Sequence, residues 1–357
     1  MNRAWTLLSR SSVANALRRA CPGGSDDWQA TAALRRACPG GSDDWQATRR
    51  MTRKPATTAD NASTCFDSNI FPGGARMDNM LSVIRSVLAA VVLVGLSAVA
   101  PASELKIYIM TDLEGASGVF KFAQTREPDN PLGETAKEYL MGDIAAVVRG
   151  LRDGGATEIL VIDGHGSQAF VPHLMVPGAK YVTGKPRPNA LWGLDESFAG
   201  LVLLAHHAMN GTPDGVLCHT QSSKSENRYW YNGVESGELA QVAAVAAHYG
   251  VPPILVTGDE ATCRESQQFF GTECVTVAVK RGLSREAAVL YPFEETREAL
   301  HEGAKQSVAA IEKCKPYRVE LPIKARKEYL VFEDPSKEPR LVTKEGTITD
   351  ILRLFEF

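Results

Sequence analysis

The chain alternates short apolar segments rich in β-branched residues with longer segments of helical character, and this alternation restricts the folds open to it. The apolar segments are 105–110, 157–162, 201–205 and 254–257, and the helix-like segments include 139–152 and 239–249. Strands that alternate with helices form a mostly parallel sheet covered by helices. We therefore predict an α/β fold, with a mostly parallel sheet flanked by helices and a smaller α+β C-terminal portion.

Residues of metal-binding type follow the apolar segments where each strand is expected to end. Asp112 and Glu114 follow the first segment, His165 follows the second, and the third ends in His206-His207. Side chains two apart on a strand share a face, so the two acids can reach one ion together. Adjacent histidines on an extended segment point to opposite sides, and we select His207. Because ligands gather beyond the carboxyl ends of such strands, these groups are expected to meet in one cleft.

Two further residues complete the candidate site. Glu238 opens the helix-like segment 239–249, and His219 follows a turn at 211–215 in a stretch expected to return to the same edge. Carboxylates combined with imidazoles favour zinc, and five ligands exceed what one catalytic zinc takes from protein. The predicted ligands of a site for two Zn2+ ions, bridged by one carboxylate, are Asp112, Glu114, His165, His207 and Glu238. His219 is not needed as a ligand and is the predicted catalytic residue.

The first hundred residues differ in character from the remainder. Residues 16–31 recur unchanged as 33–48, a duplication too short and polar for a repeat fold, so 1–76 is predicted to be a disordered or wrongly assigned extension. An apolar run at 87–100, preceded by one positive charge and followed by Ala102, is typical of a secretory signal peptide over 77–102. We expect translation to start at Met77 or Met80, and export to the periplasm or medium without a stable membrane anchor after cleavage.

The mature chain is predicted to comprise a metal-dependent catalytic α/β domain at 103–315 and a C-terminal portion at 316–357 that packs on it. The net charge is -3 and no long basic tract follows residue 76, so no nucleic-acid partner is expected. Export would permit disulfides among the four cysteines that remain. Cys263 and Cys274 flank a predicted helix before the strand 275–279 and are the expected pair.

Five motifs, in order along the chain, resemble those of one peptidase family. They are TDLEG at 111–115, Asp-Gly-His-Gly at 163–166, His-His-Ala at 206–208 followed by Thr-Pro and His219, Gly-Glu at 237–238, and Gly-Asp-Glu at 258–260. Their order and intervals, from about residue 105 to about residue 310, are similar to those of the DppA-like zinc-dependent D-aminopeptidases, peptidase family M55.

This resemblance implies an exopeptidase with two zinc ions that releases amino-terminal D-residues from short peptides, such as those containing D-alanine. It also implies that Asp112 bridges the ions, that the other four predicted ligands complete the site, and that His219 is the catalytic histidine, as nucleophile or proton carrier. The family forms a ring-like homodecamer with its active sites facing an inner channel, so a homo-oligomer is expected. Asp214, an extra residue relative to the family, could shift His219 away from the metals.

The residues leave three other functions open. The same ligands could serve an amidohydrolase or phosphoesterase, with Lys185, Arg187 and Lys224 binding phosphate, although a solvated face is the simpler interpretation of these cations. A non-catalytic exported binding protein is disfavoured because structural zinc sites normally include cysteine, and no cysteines cluster here. Nucleophilic catalysis by Cys218 beside His219 is disfavoured because adjacent residues on an extended segment rarely point toward each other.

Overall fold

The computed structural model describes residues 104–126, 130–166, 168–333 and 336–357. The extension predicted at 1–76 and the signal peptide predicted at 77–102 lie outside these described residues. Within the described ranges, no helix is both long and apolar enough to cross a membrane.

Helices and strands alternate along most of the described chain. The strands are β1 Lys106–Thr111, β2 Glu158–Asp163, β3 Lys180–Val182, β4 Phe198–Leu204, β5 Arg228–Tyr231, β6 Val234–Glu235, β7 Pro253–Asp259, β8 Val275–Ser284, β9 Ala287–Leu290, β10 Ile323–Val331 and β11 Arg340–Ile348. The α-helices are α1 Pro131–Asp153, α2 Glu238–Ala246, α3 Glu260–Phe270 and α4 Phe293–Ala310. Helix α1 begins before the predicted residue 139, because Asn130 caps it by accepting the Leu132 N–H at 2.8 Å.

The larger sheet has seven strands in the order β3-β2-β1-β4-β7-β8-β9, of which only β9 runs antiparallel. The predicted mostly parallel sheet flanked by helices is therefore confirmed. A second, antiparallel sheet has the order β11-β10-β5-β6. Residues 316–357, expected as a separate portion, thus supply two strands to a sheet that they share with residues 228–235.

Alternate residues of β1 face two different hydrophobic cores. Ile107 and Ile109 pack with side chains of α1 such as Leu140. Tyr108 packs with Leu239 of α2 and with apolar residues of the four-stranded sheet. Because β2, β1, β4 and β7 are adjacent and parallel, they end along one edge of the sheet, and the turns after β1, β2 and β4 carry Asp112, Glu114, His165 and His207.

The disulfide expected between Cys263 and Cys274 is absent from the structure, so that prediction is wrong. Both thiols are free and buried, and Cys274 Sγ instead lies 3.9 Å from Ser266 Oγ. Burial raises the pKa of each thiol to about 12. Proximity in sequence did not determine where the two sulfur atoms point, which is what a disulfide requires.

Candidate metal centre

Hydrogen bonds between strand ends align the turns that carry the predicted ligands. Asp112 N–H, just after β1, donates to Leu204 O at the end of β4 at 2.8 Å. Gly164 N–H, just after β2, donates to Thr111 O at 3.0 Å. These bonds hold the turns after three adjacent strands side by side, so acids and imidazoles far apart in sequence come into contact.

His165 faces two carboxylates. Its Nδ1 lies 3.0 Å from Asp112 Oδ1 and 3.0 Å from Glu114 Oε2. Its Nε2 lies 2.9 Å from Thr125 O, and because a carbonyl oxygen only accepts, Nε2 carries a hydrogen there. In the neutral ring, Nδ1 therefore presents its lone pair to the carboxylates. Metal-binding imidazoles are oriented in this way, with the outer N–H held by the backbone.

His207 repeats this arrangement at the second oxygen of Asp112. Its Nε2 lies 3.2 Å from Asp112 Oδ2 and 3.5 Å from Glu238 Oε1. Its Nδ1 donates to Ala208 O at 3.0 Å. The two oxygens of Asp112 thus face two different imidazoles, and each imidazole has its own glutamate.

Two buried atoms of this cluster lack the hydrogen bonds that burial normally demands. Glu114 Oε2 and His207 Nε2 have no hydrogen-bond partner among the described residues. An unsatisfied buried polar atom costs roughly 1–3 kcal/mol, so such atoms call for another ligand. Donor atoms of Asp112, Glu114 and His207 all lie within 4.8 Å of one another, and so do those of His207, His219 and Glu238. A set of imidazoles and carboxylates at this spacing fits zinc.

Attraction between the carboxylates and the imidazoles outweighs the effect of burial on their pKa values. Burial raises the pKa of Asp112, but the hydrogen bond from His165 and the positive charges of His165 and His207 hold it well below its usual range. In the same way, the charge of His207 outweighs burial and lowers the pKa of Glu238 to about 2. Burial lowers the pKa of both histidines, but Glu114 beside His165 and Glu238 beside His207 raise each well above 6.5. Metal binding at neutral pH must therefore displace protons from the imidazoles.

His219 lies beside the cluster, and its pKa shifts in the opposite direction to those of His165 and His207. Its ring stacks on His207, with centroids 3.9 Å apart and an interplanar angle of 16°. Its Nδ1 donates to Leu217 O at 2.8 Å, and its Nε2 lies 3.9 Å from Glu238 Oε1. Burial, followed by the positive charge of His207, lowers the pKa of His219. The ring is therefore neutral at neutral pH and can accept a proton at Nε2.

Backbone strain is concentrated around the two histidine segments. Ala205, Leu217 and Gln221 have φ angles of 60°, 53° and 61°. Residues other than glycine pay about 1–3 kcal/mol for such left-handed conformations, which persist where the surrounding structure holds them. Asp214, the extra residue that could shift His219, forms an ion pair with Arg264, and the His219 ring stacks on His207.

Gly115 allows the turns after β1 and β4 to approach each other closely. Its N–H donates to Ala205 O at 2.8 Å, and a Cβ at this position would lie 2.0 Å from His206 O. The glycine of the TDLEG motif is therefore required by backbone packing, and it brings Glu114 beside the histidine segment.

Lys280 on β8, which sequence reasoning missed, anchors the turn that carries Glu114. Its side chain is fully buried, and Nζ donates to Glu114 O at 2.6 Å, Ala116 O at 2.9 Å and Val119 O at 2.6 Å. A lysine within a strand has no local signature of such a role, because its partners lie more than 160 residues away in sequence.

Gln221, also missed from the sequence, connects Glu238 to the four-stranded sheet. Its backbone N–H donates to Glu238 Oε1 at 2.6 Å. Its side-chain Oε1 accepts from the Tyr229 hydroxyl at 2.7 Å, and its Nε2 donates to Gln241 Oε1 at 3.2 Å. The small sheet therefore supports a predicted metal ligand through this residue.

Cys218 does not form a catalytic pair with His219. Its thiol donates to Thr212 O at 3.3 Å, and burial raises the pKa of the thiol. The Nδ1 atom of His219 is bonded to Leu217 O. The geometry therefore agrees with the sequence-based argument against a cysteine nucleophile.

A cavity of about 290 Å³ opens onto the cluster. It is also lined by Thr125, Arg126, Gly164, Gly166, Gln221, Ser222, Ser223 and Lys224. A neighbouring cavity of about 200 Å³ shares Thr125, Arg126, His165 and Gly166. Of the cations considered from the sequence, Lys224 lines the larger cavity, whereas Arg187 donates to Asp163 O at 2.8 Å. The larger cavity is of a size for a small ligand.

Comparison with known proteins identifies one family, one similar sequence and one similar solved structure. A family model described as peptidase M55, D-aminopeptidase, matches residues 105–332. The D-aminopeptidase of Bacillus subtilis (strain 168) is 29% identical over 224 residues, which cover 59% of this chain and 77% of that protein. The solved structure of DppA from Bacillus subtilis, a zinc-dependent D-aminopeptidase described as a self-compartmentalizing protease, has a TM-score of 0.64 and 25% identity. That match covers 71% of this chain and 94% of the solved chain.

Proposed function

Since the chain belongs to the peptidase M55 family of D-aminopeptidases, we propose that it releases amino-terminal D-residues from short peptides with a pair of zinc ions. The observation that carries the proposal is the position of Asp112. Its two oxygens face His165 and His207 at 3.0 and 3.2 Å, and each imidazole is accompanied by a different glutamate. A carboxylate between two such ligand groups is suited to bridge two ions.

Each ion would have one imidazole, one glutamate and a share of Asp112. His165 and Glu114 would hold one ion, and His207 and Glu238 the other. Zinc is supported by this donor set and by the zinc dependence of the similar Bacillus subtilis enzyme. Two bound zinc ions lower the pKa of a water molecule and polarise a carbonyl oxygen.

His219 would move the protons of the reaction. Because Nδ1 is held by Leu217 O, Nε2 is the atom that accepts a proton and then donates it to the leaving amine. Stacking on His207 keeps the imidazole plane in position during this transfer. The cavity of about 290 Å³ that opens onto the cluster admits a short peptide and excludes folded chains.

Zinc content and turnover of His219→Ala test this assignment. We expect turnover of a D-alanyl anilide to fall by on the order of 100-fold or more, as general acid–base catalysis is lost, while zinc per chain stays at the wild-type value. Cys218→Ser is the matched control, because its thiol contacts Thr212 O, and it should retain both zinc and turnover. Loss of zinc from His219→Ala would make His219 a ligand and overturn its proposed role.

The activity class is tested with matched D- and L-alanyl amides and a phosphate ester. A D-aminopeptidase should hydrolyse the D-amide preferentially and leave the phosphate ester intact. Preference for the L-amide, or hydrolysis of the ester alone, would contradict the proposal.

The proposal extends to assembly and location. The similar Bacillus subtilis enzyme is self-compartmentalizing, and large apolar side chains are exposed here at Leu283, Leu290, Phe332 and Leu341. By analogy with that enzyme we expect a homo-oligomer, up to a decamer, in light scattering of the purified protein, and these exposed side chains are candidates for its interfaces. Export is proposed from residues 77–102, and sequencing of the mature amino terminus should then find Ser103.

A further inference from the structure

The cavity that contains the acidic cluster is also lined by two cationic side chains, Arg126 and Lys224. An aminopeptidase requires groups that recognise the free amine of its substrate, and these cations are of the wrong sign for that purpose. They suit an anion on the same substrate. In a short peptide without acidic side chains, the anion is the terminal carboxylate.

The guanidinium of Arg126 is held in place before any ligand arrives. Its Nε donates to Ser223 Oγ at 3.0 Å, and its Nη2 donates to Ser223 O at 2.9 Å. Its central carbon lies 3.4 Å from the centre of the Phe122 ring. A side chain fixed in this way loses little further entropy when it binds a ligand.

Arg126 retains hydrogen-bond donors that these contacts do not use. A guanidinium has five N–H donors, and the two bonds to Ser223 occupy two of them. Among the described residues, Nη1 donates to no acceptor. The remaining fork of N–H groups matches the two oxygens of a carboxylate.

The distance from Arg126 to the catalytic histidine matches a dipeptide. The Phe122 ring contacts the Arg126 guanidinium, and its centre lies 6.3 Å from the centre of the His219 ring. The guanidinium carbon is therefore within about 10 Å of the His219 ring, while an extended dipeptide spans about 7 Å at roughly 3.5 Å per residue. A carboxylate bound to Arg126 would leave the peptide bond of a dipeptide within reach of His219.

We propose that Arg126, assisted by Lys224, binds the terminal carboxylate of the substrate, so that the enzyme selects D,D-dipeptides by recognising both of their ends. This inference rests on the proposed D-aminopeptidase function. Arg126 makes the oriented contact, and exposed Lys224 adds positive charge at the same wall of the cavity.

Three substrates that differ in whether and where they carry a carboxylate test the proposal. They are D-alanyl-D-alanine, its C-terminal amide, and the α-amide of D-alanyl-D-glutamic acid, which carries a carboxylate only on its side chain. We expect kcat/KM of the wild type to be on the order of 10- to 100-fold higher for the free dipeptide than for either amide. This is the factor expected from a pair of hydrogen bonds between a guanidinium and a carboxylate.

Variants then assign the preference to a residue. In Arg126→Met, the ratio of kcat/KM between D-alanyl-D-alanine and its amide should fall toward one, and Arg126→Lys should restore part of it. A purely structural role of Arg126 would lower both rates together and leave the ratio unchanged. Lys121→Met is the control, because this nearby cation is not among the residues lining either cavity, and its ratio should equal that of the wild type.

The possible results distinguish failure of the D-aminopeptidase function from failure of the carboxylate subsite. Hydrolysis of none of the three substrates by the wild type would overturn the proposed function itself. Equal rates on the free dipeptide and its amide, or an unchanged ratio in Arg126→Met, would overturn the carboxylate subsite while leaving the D-aminopeptidase function standing. Equal rates on the dipeptide and the glutamate α-amide would show that a carboxylate is accepted at either position, and they would overturn specific recognition of the peptide terminus.

Discussion

Replacing Lys280 with methionine should destabilise the fold and weaken zinc binding together. Burial lowers the pKa of Lys280 from 10.5 to about 8, so its ammonium is still mostly protonated at pH 7. Methionine keeps the length and apolar stem of the side chain but removes every donor. Val119 N–H would still bond Ala116 O at 3.2 Å, whereas Glu114 O and Val119 O would lose the lysine donor.

The expected change in the free energy of unfolding is the difference between two opposing contributions. Loss of the three bonds, two of them leaving buried carbonyls unsatisfied, costs about 6 kcal/mol at about 2 kcal/mol each. An apolar side chain recovers the cost of burying the charge, about 3 kcal/mol for a pKa lowered from 10.5 to about 8. The free energy of unfolding should therefore fall by about 3 kcal/mol.

Urea unfolding followed by circular dichroism, in the presence of a chelator, measures this loss without a contribution from bound metal. Zinc content measured separately should also fall, because the Glu114 turn loses its anchor. Lys106→Met is the control, since Lys106 pairs with glutamates at the surface and its replacement should change stability little. A loss below about 1 kcal/mol in Lys280→Met would refute this assessment of the three carbonyl contacts.

Two other changes test the packing and the buried charges around the site. Gly115→Ala should lower the free energy of unfolding by about 2–3 kcal/mol and reduce zinc content, because the new Cβ would lie 2.0 Å from His206 O. Gly250→Asn is the control, since no atom lies within 4 Å of the added Cβ. Equal zinc content in the two variants would contradict this prediction. Burial raises the pKa of Asp143 from 3.8 to about 6, so between these values the folded state binds more protons than the unfolded state, and stability due to this group is lost as pH rises. The free energy of unfolding of Asp143→Asn relative to wild type should therefore rise by about 2 kcal/mol between pH 4 and 6, and it should level off only above about pH 7. A difference that does not vary with pH in urea titrations would show that Asp143 does not titrate there.

The strands at the centre of the large sheet and the residues after them could be predicted because their signals are local. Each buried parallel strand is a short apolar run, and the residue after its last position lies at the carboxyl edge whatever the remainder of the chain does. This is why Asp112 and His165, which follow two of these strands, could be named together before their contacts were known. Neighbours that point to different sides limit the site to one of His206 and His207, but this alternation alone does not say which.

Other features could not be predicted because their partners are distant in sequence. The strand β5 contains four residues, and its pairing with β10 depends on residues nearly a hundred positions later. The expected disulfide failed for a related reason, since spacing along the chain does not specify the direction of two sulfur atoms.

The sequence by itself determined the central parallel strands, the acids and imidazoles that follow them, and the edge of the sheet at which those residues meet. Only the tertiary structure decided that Lys280 anchors the Glu114 turn, that Gln221 holds Glu238, and that Arg126 lines the cavity on the face of Phe122. The physical reason is that hydrophobic periodicity is written into neighbouring residues, whereas a buried hydrogen bond or an oriented cation depends on where segments far apart in the chain finally pack.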